Sequence, residues 1–360
     1  MPDFLIADKF IVIDWPVVVQ VVLLGFIGGV LSGFIGSGGA FFMTPGMMNA
    51  GVPGSIAVAS NITHKFGKAM IGAKRHGEMG HVDKRLAVLM LITAAAGISL
   101  AAWVMVLMGA KGKGGSRSAG ADLYISVVFV VVLALVSLSM LRDIIRSRRD
   151  VEAKPSTRIV DFLNKLRLYP LIHFKVADVK VSLWVVLVCG LATGYLAGTI
   201  GVGGFIGVPA MIYVFGIPSQ VAAGTELFLA QFMGAWGAMN YCYRGMVDIR
   251  LVLLLYAGSL VGIHLGAYGT KVVREVIIRL VTSGIILICV LSRAVAIPVY
   301  LRQLGYLDYA PSLDAYFNTA SKVLLYASGI SGTLIILVFV MRAYFQRRRI
   351  QSSLLATRGG

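Results

Sequence analysis

Gly33 to Pro45 reads GFIGSGGAFFMTP, and Gly198 to Pro209 reads GTIGVGGFIGVP. The two stretches are one motif met twice. A shift of 165 positions lays Gly33, Ile35, Gly36, Gly38 and Gly39 on Gly198, Ile200, Gly201, Gly203 and Gly204. The same shift lays Gly51 and Pro53 on Gly216 and Pro218. It also lays Gly80 to Leu86 (GHVDKRL) on Gly245 to Leu251 (GMVDIRL), with five of seven residues identical. Pro45 and Pro209 miss by one residue, a local slip. Chance matches leucines in an apolar chain, but not glycines, prolines and a V-D-x-R-L run at one constant offset. The chain is a duplication.

Outward from these motifs lie apolar runs at about 17–36, 54–75, 86–108, 122–141, 181–201, 219–243, 251–270, 276–295 and 322–341. Each is long enough to cross a bilayer as a helix. Two shorter runs, 39–50 and 204–216, follow the glycine clusters and read as half-helices or re-entrant segments. The expected fold is therefore an all-α polytopic membrane protein. Composition agrees: of 360 residues 58% are hydrophobic and 14% charged, where a soluble domain carries about a quarter charged. The expected organisation is a first transmembrane repeat at 1–141, a basic linker at 142–180, a second repeat at 181–341 and a basic tail at 342–360. Residues 157–168 suggest an amphipathic surface helix, and 298–320 a polar loop rich in tyrosine.

The net charge of +17 reads as topology and lipid headgroups, since the basic residues lie between or after the apolar runs. No basic-aromatic groove pattern points to nucleic acid. Asp3, Asp8 and Asp14 against Lys9 give no positive region for a signal peptide, so the first apolar run is expected to stay in the protein. The linker and the tail carry the arginines and are expected to be cytoplasmic. Counting spans back from the tail then puts the N-terminus outside and inverts one half relative to the other. Inverted repeats bring a binding site to mid-membrane between them.

Three features carry chemistry. The paired turns Gly36-Ser37-Gly38-Gly39 and Gly201-Val202-Gly203-Gly204 each precede a short helix. Backbone N–H groups at a helix start are unsatisfied and partly positive. Two such starts converging would hold an anion without a buried cation. The plainer reading is that the glycines only let helices pack. No Lys-Ser/Thr follows either turn, which argues against a nucleotide loop.

The second feature is a face of the 54–75 helix. Asn61, His64, Lys65 and Lys68 stand at i, i+3, i+4 and i+7, with Ser60 adjoining. Ionisable groups inside a membrane helix usually face a cavity. Against this, the lysines can snorkel to the headgroups, and His64 can be a packing residue rather than a proton relay. The third feature is Thr225-Glu226, which the repeat places opposite Ser60-Asn61. Glu226 is the best carboxylate for a coupled proton. Its bland alternative is an ion pair with Lys65 or Lys68. Asp83 and Asp248 read as helix N-caps. Cys189, Cys242 and Cys289 read as buried apolar residues. No catalytic set, metal-spaced cluster or cofactor motif is present, and the five histidines are scattered, so no enzyme is expected.

At these residues the chain resembles the TauE/SafE family of sulfite exporters and toluenesulfonate-uptake permeases. The resemblance rests on the doubled glycine turn, the helix openings ASN and GTE that follow, and the V-D-x-R-L loops. It covers about 17–341. It implies a bacterial inner-membrane permease of two inverted units, moving sulfite, organosulfonates or related small anions, coupled to protons. The linker is longer than that of compact family members. His64, Lys65, Lys68 and Glu226 match no general family motif, and their assignment rests on position. The expected partners are a small anion and membrane lipids, with a homo-oligomer left open. The expected function is proton-coupled export of such an anion. The alternatives are a non-transporting subunit or sensor that binds lipid or a partner protein, and a passive anion channel.

Overall fold

The computed structural model describes residues 11, 13–35, 39–109, 119–147, 168–201, 203–273 and 275–356. Gly36, Ser37, Gly38 and Val202 lie outside the described residues, as do 148–167 of the linker and with them most of the expected 157–168 helix.

The first half holds α1 (Trp15–Ile35), the short α2 (Ala40–Asn49), α3 (Gly54–Glu78), α4 (Lys84–Gly109) and α5 (Ala119–Ser147). A hairpin of β1 (Leu171–Phe174) and β2 (Val179–Ser182) leads into the second half. There follow α6 (Leu183–Ile200), the short α7 (Gly204–Tyr213), α8 (Ser219–Tyr243), α9 (Ile249–Val272), α10 (Glu275–Gln303) and α11 (Leu313–Ala356). Both half-helices stand where the sequence places them. Each ends at a glycine in the left-handed region, Gly51 at φ +91° and Gly216 at φ +76°. Only glycine adopts that conformation without strain. Pro53 and Pro218 then open the next helix at its N-cap. The bounds of α3 and α8 differ by 165 at both ends, the offset of the duplication.

Among the described residues seven helices are long and apolar enough to cross a membrane: α1, α4, α5, α6, α9, α10 and α11. The sequence reading counted nine spans. The two left over are α3 and α8, each 25 residues, about 37 Å long. They have the length but are polar along one side, because they pack on each other inside the bundle. Exposed apolar side chains stand on the outer helices, among them Ile92, Leu135, Val188 and Leu253, and also on α3 and α8, among them Ile71 and Met239.

The halves interlock. α1 packs along α9, and α4 along α6. In the first pair Gly25, Gly29 and Gly33 face Gly258, Gly262 and Gly266 of the other helix at four-residue spacing. A methyl on Gly29 would lie 2.6 Å from the Ser259 carbonyl oxygen. Small residues let the backbones approach, and dispersion contacts between them hold membrane helices together. α3 meets α8 with Ile62 at Gly237, Phe66 at Gly234 and Leu227 at Gly72. Contacts that descend on one helix as they rise on the other mean that the two run in opposite directions.

Three elements differ from expectation. The linker contains the β-hairpin, whose Phe174 and Ala177 are buried against Leu86 and Phe215. The polar loop shrinks to 304–312, because α10 continues to Gln303 and α11 starts at Leu313. Arg302 pairs with Asp314 across that loop, which lets both helices carry polar residues at their ends. The tail is not separate from the last span: α11 runs on to Ala356. Asp248 caps α9 through the Arg250 amide at 3.0 Å. Asp83 accepts from the Leu86 amide at 3.1 Å and also from the hairpin amides of Val176 and Ala177 at 3.1 and 3.3 Å.

Candidate functional site

The face of α3 predicted to be functional lines a cavity of about 270 Å³. Asn61, His64, Lys65, Lys68 and Arg75 stand on its wall. Their spacing carries them from buried Asn61 to exposed Arg75 over about four turns, roughly 21 Å. The remaining walls come from both halves: α1, α2, α7, α8 and α9 all contribute.

The two broken helices meet at the deep end. Asn61 Nδ2 donates to the Ala40 carbonyl at 3.0 Å and to Thr44 Oγ1 at 2.7 Å. Thr44 Oγ1 in turn donates to the Ile200 carbonyl, the last of α6, at 3.1 Å. A side chain on Gly201, itself at φ +74°, would meet Asn61 and Thr44, each 3.0 Å away. So Asn61 of α3 and Thr44 of α2 tie the break of one half to the break of the other. Neither α2 nor α7 has a side-chain N-cap hydrogen bond. Ala40, Gly203 and Gly204 are on the cavity wall.

Charge is arranged unevenly. Lys65 Nζ lies 3.7 Å from Glu226 Oε1 of α8, and it lies close to Gly203, where a methyl would be 2.8 Å away. Glu226 is 2% exposed. Lys68, one turn further along the wall, makes no hydrogen bond or ion pair among the described residues. A lysine at the centre of a membrane helix costs about 3 kcal/mol to insert. One such cation is matched by a carboxylate here, and the next is left facing the cavity. His264 of α9 adds an imidazole ring to the same wall.

α9 also shapes the site. Tyr256 hydroxyl donates to the His64 carbonyl at 2.7 Å and accepts from the Gly67 amide at 3.1 Å. It thereby enters the α3 backbone ladder beside Lys65 and Lys68. His64 Nε2 shares a 2.7 Å hydrogen bond with Ser259 Oγ.

The other sequence-predicted residues fall outside the wall. Gly39 packs against the Gly28 carbonyl of α1. Ser60 is buried, and its hydroxyl has no partner among the described residues. Gly201 forms the turn beside Asn61. Thr225 Oγ1 accepts from the Asp83 amide at 3.0 Å and so holds the α3–α4 loop. Sequence reasoning missed Tyr256, Ser259 and His264. Their signal was available, since Ser259 and His264 are polar residues inside an apolar span.

Seven apolar spans among the described residues, around a largely apolar cavity that carries Asn61, His64, Lys65 and Lys68 and is shared by both halves, define a multi-pass membrane protein. The family model "Sulfite exporter TauE/SafE" matches residues 21–293, and the chain belongs to that family. Curated relatives agree in class. "Probable membrane transporter protein YjnA" of Bacillus subtilis is 26% identical over 69% of this chain and 89% of its own length. YunE of the same organism, also named a probable membrane transporter protein, is 23% identical over 75% of this chain and 95% of its own. A probable membrane transporter protein of Xylella fastidiosa is 25% identical, covering 67% and 80%. No solved structure matches significantly. The chain is a membrane transporter by family.

Proposed function

We propose that this chain is a secondary transporter that exports a small anion such as sulfite or an organosulfonate across the bacterial inner membrane, coupled to protons. The observation that carries the reading is the single cavity joining both broken helices to Lys65 and Lys68. An entering anion meets Arg75, passes Lys68 and settles between Lys65, Asn61 and the N–H ends of α2 and α7. The roles follow from chemistry. Lys65 and Lys68 supply charge, Asn61 orients, Gly203 and Gly204 let backbone amides approach the ligand, and Gly39 and Gly201 shape the turns. Gly36, Ser37 and Gly38, outside the described residues, are assigned a part in binding from the sequence motif alone. Ser60 and Thr225 support it from behind.

Glu226 is the proton carrier in this reading. An anion that claims Lys65 draws it from the carboxylate, so anion binding and the charge on Glu226 are linked. His64, held by Ser259, is the second candidate carrier. The opposed directions of α3 and α8 support the reading of the halves as inverted copies that rock about the cavity. Positive charge on 142–180 and 342–360 supports a cytoplasmic C-terminus and an external N-terminus. Arg75 then marks a mouth on the cytoplasmic side, the side from which an exporter loads.

The test is flux of labelled sulfite and of a panel of sulfonates in proteoliposomes, with and without a proton gradient. Wild type is expected to show saturable, gradient-dependent flux, and Gly39→Leu with Gly204→Leu to lose it. Equal flux in both proteins would defeat the site.

A further inference from the structure

Arg293 of α10 is, among the described residues, the largest side chain buried almost completely, at 1% exposure, and it is not on the wall of the anion cavity. Its terminal nitrogens donate to Asn49 Oδ1, to Ser321 Oγ at 3.0 Å and to Met48 Sδ at 3.7 Å. Ser321 Oγ also donates to Asn49 Oδ1 at 3.2 Å, and Ser292 Oγ donates to the Ser321 carbonyl at 2.7 Å. Three helices meet at this one guanidinium: α2, α10 and α11. Among the described residues no carboxylate forms an ion pair with it. Met48 and Asn49 close α2, so the cation lies at the negative end of that helix dipole. A cation this deep in a membrane bundle is expensive and marks a function more often than plain packing.

At the close of the matching half-helix the described residues show no buried cation. α7 closes on Met211-Ile212-Tyr213-Val214-Phe215, without an amide or a cation in its sequence. Met211 and Phe215 are buried in an apolar cluster with Leu86 and Phe174. Apolar contact is non-directional and lets surfaces slide. A planar guanidinium fork holds its acceptors in one geometry.

We propose that Arg293 is a positioning residue that pins α2 to α10 and α11 and fixes the depth of the Ala40 end at the cavity. α7 is then the half-helix that shifts when the cavity changes the side to which it opens. The assignment of motion rests on the transport reading above; the pin does not.

Backbone amide exchange read by mass spectrometry, on the full chain in lipid nanodiscs, tests both parts. In wild type, residues 40–49 are expected to exchange about tenfold or more slowly than 204–213, as a pinned element does against a sliding one. Arg293→Gln brings 40–49 to the rate of 204–213 and leaves 204–213 unchanged. Ser321→Ala keeps the charge, removes the hydroxyl's bonds to Arg293, Asn49 and Ser292 and gives an intermediate rate, so the inference stays testable if Arg293→Gln fails to fold. Equal exchange of the two segments in wild type overturns the pin, as does loss of protection spread evenly over both in the variants. The same proteins are assayed for labelled sulfite flux. A positioning role raises KM for sulfite more than it lowers the maximal rate. Unchanged kinetics with α2 released overturns the positioning role. Flux absent from wild type as well defeats the transport reading and the motion assigned with it, while the exchange data still judge the pin.

Discussion

α2 and α7 descend from one ancestral segment, start beside the same cavity and leave it differently. α2 is tied at both ends, by Asn61 and Thr44 at its start and by Arg293 at its close. α7 begins beside Lys65 and closes in apolar packing. The flanks diverge in the same way. Asp83 of the first half caps α4 and holds the hairpin, while Asp248 of the second caps α9 and pairs with Arg250 at 2.7 Å. Duplication preserved the backbone devices, the left-handed glycines and the prolines. Side-chain chemistry was free to drift: the Arg293 contacts stand at the close of α2, while the Lys65–Glu226 pair joins one helix from each half.

The sharpest way to break this comparison is Lys65→Met, on the α7 side. It leaves Glu226 buried without its cation, which costs about 3–5 kcal/mol, and flux is expected to fall on the order of 100-fold with the lost charge-assisted contact. Adding Glu226→Gln is expected to restore the unfolding midpoint but not the flux. A next test compares the two turns. Gly39→Ala drives a methyl into the Gly28 backbone and is expected to destabilise by about 1–3 kcal/mol. Gly203→Ala meets the Lys65 amine at 2.8 Å, a group that can swing away, so the fold is expected to survive while anion affinity drops. Thermal unfolding of the pair, with flux, checks the contrast.

Smaller effects come from the caps. Asp83→Ala removes three amide contacts and is expected to cost about 2–3 kcal/mol, against about 1 kcal/mol for Asp248→Ala. Proteolysis of the hairpin is expected to quicken only in Asp83→Ala. The smallest is Thr44→Val, which removes the hydroxyl's bonds to the Ile200 carbonyl and to Asn61 for about 1 kcal/mol. Its expected signature is faster amide exchange at 197–201 with the rest of the bundle unchanged.

Much of this was legible in the sequence, and the reason is physical. A half-helix needs a left-handed glycine and a proline to turn the chain inside a bilayer, and both leave marks in the sequence. A polar face on a membrane helix is costly enough that Asn61, His64, Lys65 and Lys68 announce a cavity. The α9 wall was harder to read, because Tyr256 and Ser259 become site residues only once α9 lies along α1 and α3. Arg293 carried no signal in the sequence, since its partners Asn49 and Ser321 are far away along the chain. The hairpin was missed because its strands are four residues each and sit in a stretch dominated by charge.

Lys68 gives the most direct test, because it faces the cavity unpaired and its loss leaves no buried partner behind. Thermal unfolding of the purified protein is followed across a panel of sulfite, sulfonates and chloride, for wild type and Lys68→Gln. An anion that fills the cavity at 100 times its Kd stabilises wild type by about 2.7 kcal/mol. Lys68→Gln is expected to unfold at the wild-type temperature without anion and to show little or no rise with it. An equal rise in both proteins, for the anion that stabilises wild type most, would contradict the account.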